Sequence, residues 1–241
     1  MVKQARAART REALIVAAAE VFADNGYALA SLPAVSRRAG VSTGALHFHF
    51  ASKEALAREV EGAAADSVGK MAAGCRSTAD TLLQSLVNAT CRLLAAVGSD
   101  PVVRAGFKLS QDPSRRAGAR AGGLVEWWCA WVQDLVAQAA EEGELARGVS
   151  CEDAAAAIVA ATVGFETLGG WDLEWVSLER TARFWTFLLP LLAASPQLVV
   201  VHPAAAAAAG DTAGGPAGGP AGGPDTAARP GGPGSGGACA G

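Results

Sequence analysis

The side chains with the clearest chemical purpose lie in and around residues 31–56, SLPAVSRRAGVSTGALHFHFASKEAL. Arg37, Thr43, His47, His49 and Lys53 bring hydrogen-bond donors or positive charge, Ser42 and Gly44 stand among them, and Arg6 and Arg9 lie upstream. Groups of this kind bind phosphate oxygens and base edges, and the reading they support is a DNA-binding unit. Ser42, Thr43 and Gly44 open a helical pattern, where free N–H groups and partial positive charge suit a phosphate. Gly44 permits close backbone approach, and Thr43 can donate to phosphate or set its methyl against a thymine methyl. Residues two apart on a helix diverge by about 200° around the axis, so His47 and His49 are not a metal pair. With Lys53 they can supply three donors along a phosphate track, the alternative being plain surface histidines. Arg37 and Arg38 have two readings, phosphate contact or solvated helix residues. Arg6 and Arg9, with Lys3 and Arg11, can follow the minor groove or phosphate, or remain in solvent.

To act together these groups need a helix-turn-helix. Ser31 can cap a helix over Leu32–Ala39, with Pro33 in its first turn, and Gly40 can take the left-handed position that ends it. Ser42 can cap the next helix, Thr43–His49, and a further helix opens at Ser52. The second helix is short enough to lie in a major groove. Val35, Val41, Leu46 and Phe50 can point inward together. Before them a helix from about Thr10 to Asn25 shows an inward stripe of Leu14, Ile15, Ala18, Ala19 and Phe22, with Gly26 ending it.

The charge distribution fits one module that meets phosphate. Residues 1–53 hold seven bases against three acids, a net of +4; the rest hold 13 against 20, a net of −7, and together these give the chain's −3. A basic head on an acidic body is expected when only the head contacts nucleic acid. The five cysteines, Cys75, Cys91, Cys129, Cys151 and Cys239, form an odd set without CxxC spacing and sit mostly in apolar helical patterns. They read as buried thiols in a reducing cytoplasm, with the protein on the nucleoid. Glu20 and Asp24 interrupt the one stretch that imitates a signal peptide. No apolar run reaches the roughly 18 residues needed to span a bilayer, so no membrane partner is expected.

The fold class implied is all-α: a basic arm (1–9), a three-helix helix-turn-helix domain (10–54), and a helical ligand-binding and dimerisation domain (55–197). The helix from Ser52 is expected to run on to Val68 or beyond. Helical patterns then cover TADTLLQSLVNATCRLLAAVG, PVVRAGFKLSQ, LVEWWCAWVQDLVAQAAEEGEL and a final pair, CEDAAAAIVAATVGFETLGGW and SLERTARFWTFLLPLLAAS. DPSRRAGARAGG reads as flexible, Pro190 should kink or shorten the last helix, and LVVV at 198–201 is an isolated strand-like piece. The Ala/Gly/Pro repeats over 202–241 are expected to be disordered. Trp127 and Trp128 are adjacent, point about 100° apart and cannot share one helix face.

Gly40–Leu56, GVSTGALHFHFASKEAL, resembles the signature of TetR-type transcriptional repressors, a phrase close to GVSKGALYFHFxSKEAL. The match is long and specific. It departs at Thr43, where the family usually has Lys, and at His47, where it usually has Tyr; both family residues typically touch phosphate. His49 and Lys53 match backbone-contacting positions of the family. RAGFKLSQD (104–112) and GLVEWWCAW (123–131) resemble the γ-butyrolactone receptors of that family, which control antibiotic production. The resemblance covers most of residues 1–195, strong in the head and weaker in the body. It implies a homodimer on an inverted-repeat operator of double-stranded DNA, released by a small hydrophobic effector. It also implies a lactone pocket at Trp127, with Phe107, Thr162, Val163 and Phe165 as further lining and the Thr162 hydroxyl orienting a lactone carbonyl. Ala154–Ala161 with Phe184, Trp185, Phe187 and Leu188 can form a dimer interface, as the resemblance implies, the alternative being that some of them close the monomer core, and the helix from Ser52 is expected to act as a lever. No metal or cofactor is implied.

Catalysis finds little support. There is no P-loop, HExxH or GxSxG, and the three histidines, His47, His49 and His202, lie in the head or the tail, which leaves the body without the commonest general base. Two other readings stay open: a pseudo-receptor answering to an antibiotic or biosynthetic intermediate, and a small-molecule-binding protein whose head, changed at Thr43 and His47, grips DNA weakly.

Overall fold

The computed structural model describes residues 2–115 and 123–201. The tail read as disordered, 202–241, lies outside the described residues, as do 116–122 of the stretch read as flexible.

Helix α1 (Val2–Leu29) starts well before the expected Thr10, so most of the segment read as an arm is helical. Gly26 breaks it at φ 72°, ψ 169°, where the sequence placed its end. α2 (Leu32–Arg38), α3 (Thr43–His49) and α4 (Lys53–Thr78) follow. The body continues with α5 (Leu82–Ser99), α6 (Pro101–Gln111), α7 (Leu124–Glu141), α8 (Cys151–Gly169) and α9 (Leu178–Leu192). Among the described residues no strand is present. The strand-like run at 198–201 instead follows a 3-10 turn at Pro196–Leu198, and Val200 pairs through both backbone groups with the amide of Gln84. Pro190 sits inside the last turn of α9, which continues past it to Leu192.

Two apolar cores form. The head core holds Leu14, Phe22, Val35, Leu46, Phe50, Leu56 and Val60, but also Ala105 and Leu109 of α6. The body core gathers α4, α5, α7, α8 and α9 around Leu86, Leu93, Phe107, Trp128, Ile158 and Trp185. α6 therefore belongs to both. It crosses α4 so closely that a Cβ on Gly106 would lie 2.5 Å from the Ala64 Cβ. A Lys108 ammonium donates to the Ala23 carbonyl of α1, and the Gln111 amide donates to the buried Glu166 of α8 at 2.7 Å.

Arg115, in the stretch read as flexible, is instead almost fully buried. It pairs with Glu54 and Glu61 of α4 at 3.0 and 2.8 Å, donates to the Leu109 carbonyl, and lies over the Tyr27 ring. The start of that stretch is thereby fastened to the junction of head and body.

Candidate nucleic-acid interface and effector core

The turn between α2 and α3 is built by local chemistry. The Ser31 hydroxyl accepts from Ala34 N–H at 3.3 Å, and Pro33 sits in the first turn. Gly40 adopts φ 67°, and the N–H groups of Gly40 and Val41 return to the carbonyls of Arg37 and Ser36. That pairing is the Schellman closure, and its left-handed residue costs a side-chain-bearing amino acid about 1–2 kcal/mol. The Ser42 hydroxyl caps α3 through Ala45 N–H at 3.1 Å, and Ser52 caps α4 through Ala55 N–H at 3.0 Å.

α3 is anchored by one face only. Leu46 and Phe50 are buried and Val41 half-buried, while Ser42, Thr43, Gly44 and His47 are exposed and His49 is half-buried. Phe48 stands 82% exposed beside them, with the His49 ring edge-on to it at 5.2 Å. Arg6, Arg9 and Arg37 are exposed. Arg38 is bound to Glu20 at 2.8 Å and reaches Asp24 at 3.6 Å, so it fastens α2 to α1.

Lys53 departs from its expected place. Its ammonium donates to the carbonyls of Tyr27, Ala28 and Ala30 at 2.8, 3.3 and 3.1 Å and lies 4.4 Å from the Tyr27 ring centre. An ammonium has three N–H groups, and all three are engaged with the end of α1. Lys53 closes the head rather than projecting from it.

In the body, Trp128 is fully buried and stacks on Trp131 with ring centres 5.1 Å apart. Trp127 is half-buried, stacks on Trp131 with ring centres 6.3 Å apart and lies against Gly69 of α4. Phe107 and Thr162 are fully buried; Val163 and Phe165 are half-buried, Phe165 packing edge-on to Phe184 at 5.5 Å. The Thr162 hydroxyl donates to the Ile158 carbonyl of its own helix at 2.7 Å. The indole N–H groups of Trp128 and Trp185 are buried without a partner among the described residues. Burial pushes the Glu166 carboxyl up from its ordinary value, against the lowering effect of the Gln111 bond and the Lys108 charge.

Residues 14–60 match the model of the tetR family of bacterial regulatory proteins. The A-factor receptor protein of Streptomyces griseus is 32% identical over 206 residues, which span 84% of this chain and 71% of that protein. The chain belongs to the TetR family. A solved ArpA-like γ-butyrolactone receptor superposes with a TM-score of 0.66 at 25% identity, covering 78% of this chain and 90% of that one. A solved structure concerned with the control of antibiotic production by bacterial hormones superposes with a TM-score of 0.67 at 30% identity, covering 77% of this chain and 98% of that one. CprB from Streptomyces coelicolor, solved with its operator sequence, superposes with a TM-score of 0.66 at 25% identity, covering 78% of this chain and 90% of its own.

In the TetR-family head Arg6, Arg9, Arg37, Ser42, Thr43, Gly44 and His47 stand in solvent and His49 is half-buried, whereas Lys53 is held within the head. Phe48 was missed, although its position two residues from both Leu46 and Phe50 already put it on the outward side. In the body Trp128 and Trp185 are fully buried, whereas Trp127 is half-buried against Gly69. Thr162 cannot donate to a carbonyl while its proton is held at Ile158; among the described residues of the body the buried donors without a partner are the Trp128 and Trp185 indoles and the Ser110 hydroxyl. Of the residues open to a dimer interface or the monomer core, Trp185, Ala154 and Ala155 belong to the monomer core.

Proposed function

We propose that this ligand-responsive TetR-type repressor binds an inverted-repeat operator as a homodimer and is released by a γ-butyrolactone-like effector, in the control of antibiotic biosynthesis. The observation that carries the DNA-binding face is α3 itself, held by Leu46 and Phe50 while Thr43, Gly44, His47 and Phe48 stand in solvent. Ser42, Thr43, His47, His49, Arg37, Arg6 and Arg9 are assigned to phosphate and groove contacts, and Phe48 to apolar contact with thymine methyls or sugars. Lys53 acts on DNA only through the placing of α4.

Phe187 and Leu191, 72% and 62% exposed one turn apart on α9, are assigned to the dimer seam together with the exposed Ala156, Ala157 and Ala160 of α8. A twofold dimer presents two α3 helices to successive major grooves about 34–36 Å apart.

The effector is assigned to the core around Trp128, Phe107 and Phe165, with an indole N–H donating to the lactone carbonyl and apolar walls holding the alkyl chain. α6 and α4 connect that core to the head, α6 through Gln111–Glu166 on one side and Lys108–Ala23 on the other. A ligand favouring one body conformation must weaken DNA binding by the reciprocal factor, typically about 1–3 kcal/mol. Titration of a γ-butyrolactone into a complex of the protein with its own promoter region checks this: operator affinity should fall at saturation, and unchanged affinity rejects the receptor reading.

A further inference from the structure

A cavity of about 340 Å³ opens between α4, α5, α6 and the start of α9. Phe107, Trp127, Trp128, Thr162, Val163 and Phe165 are all absent from its lining, so it is separate from the effector core. Its walls are largely apolar, with Val68 and Met71 from α4, Val103 from α6 and Leu178 from α9. Arg92 of α5 lines it as well.

Arg92 is half-buried, and no ion pair among the described residues involves it. Its Nη1 meets the Cys75 thiol at 3.9 Å, a weak acceptor for a strong donor. A guanidinium held partly out of water beside a thiol retains donors in a planar fork, the geometry that grips a carboxylate through two parallel hydrogen bonds. The contrast with Arg115 is direct, since that guanidinium is matched by two carboxylates and a carbonyl. The volume is within the range of small-molecule sites, about 300–1,000 Å³. One cation on a largely apolar wall, whose other polar groups are the Ser67 and Ser99 hydroxyls, selects one negative charge and an aliphatic body.

We propose that this groove is a second small-molecule site, built for a monocarboxylate with a short apolar tail, whose carboxylate pairs with Arg92 while the tail lies against Val68, Met71, Val103 and Leu178. The site shares α4 with the DNA-binding head but shares none of its lining with the tryptophan core.

Calorimetric titration of the full-length protein with octanoate and with 1-octanol tests the assignment. Octanoate is expected to bind, and Arg92→Gln to weaken it about tenfold or more while leaving octanol binding unchanged. Ala96→Phe, which fills the cavity, is expected to abolish binding of both. Ser99→Trp, at the exposed rim, takes its place should the phenylalanine variant not fold, with circular dichroism reporting folding. No octanoate binding at millimolar concentration overturns the site. Octanoate binding that survives the filling variant overturns its location, and an equal loss of octanoate and octanol in Arg92→Gln overturns the carboxylate class.

Discussion

Lys53 donates to three carbonyls at the end of α1, whereas Arg37 projects from α2 into solvent. Removing the two charges therefore has different consequences. Lys53→Met is expected to destabilise the protein by about 2 kcal/mol, since hydrogen bonds to charged groups contribute about 1.5–3 kcal/mol each and partial solvation offsets part of the loss. Urea unfolding reads that change. Arg37→Ala should leave the unfolding midpoint in place, weaken operator binding uniformly across sequences and reduce the salt slope of log K by about 1. Glu166 gives a pH signature. Its folded-state carboxyl is raised by burial, so its contribution to stability is fully present below the ordinary glutamate range and is lost as pH rises through the folded value. Glu166→Gln keeps an acceptor for Gln111 and should raise the melting temperature at pH 7.5 while changing little at pH 4; a lower melting temperature at pH 7.5 contradicts this. Ser31, Gly40 and Ser42 were legible in the sequence because caps act within three residues. Lys53 and Arg115 were not, because their partners lie more than twenty and fifty residues away and no periodicity encodes such a pairing.

The elements themselves followed the sequence closely wherever a cap, a glycine and a 3.6-residue stripe agreed. α2, α3 and α6 fall where those signals put them. The phase of α7 stayed open in the sequence, because LVEWWCAWV is apolar nearly all round and gives no polar face to orient it. Packing decided it, turning Trp128 to the core and leaving Trp127 on Gly69. Nor could a boundary at residues 54 and 55 show that α6 completes the head core through Ala105 and Leu109. Gly106 makes that placement possible. Gly106→Val would push against the Ala64 Cβ and the Leu124 side chain, 2.5 and 3.1 Å from the added Cβ. It is expected to destabilise by about 1–3 kcal/mol, as overpacked cores do, and to alter operator affinity although no DNA contact is touched. Thermal unfolding and gel-shift titration together check it; a change in neither places α6 outside the coupling route.

For the molecule as a whole, a net charge of −3 with a basic head predicts binding that depends on orientation and salt. Operator affinity should fall steeply as salt rises, and a flat salt response would argue against phosphate contact. Leu191→Asp, at an exposed position on α9, should leave the monomer fold intact, since the side chain is 62% in solvent. Sedimentation should then report monomers, with operator affinity lowered because each monomer can occupy only one half-site. A dimer that persists in this variant moves the seam elsewhere. The single helix from Lys53 to Thr78 sets the tolerance of the entire assembly. Its 26 residues extend about 39 Å at 1.5 Å per residue, so a tilt of about 5° about the Thr78 end carries Lys53 through an arc of about 3 Å. That arc is as long as a hydrogen bond, and a rearrangement too small to notice among body side chains is enough to break registration with a phosphate backbone.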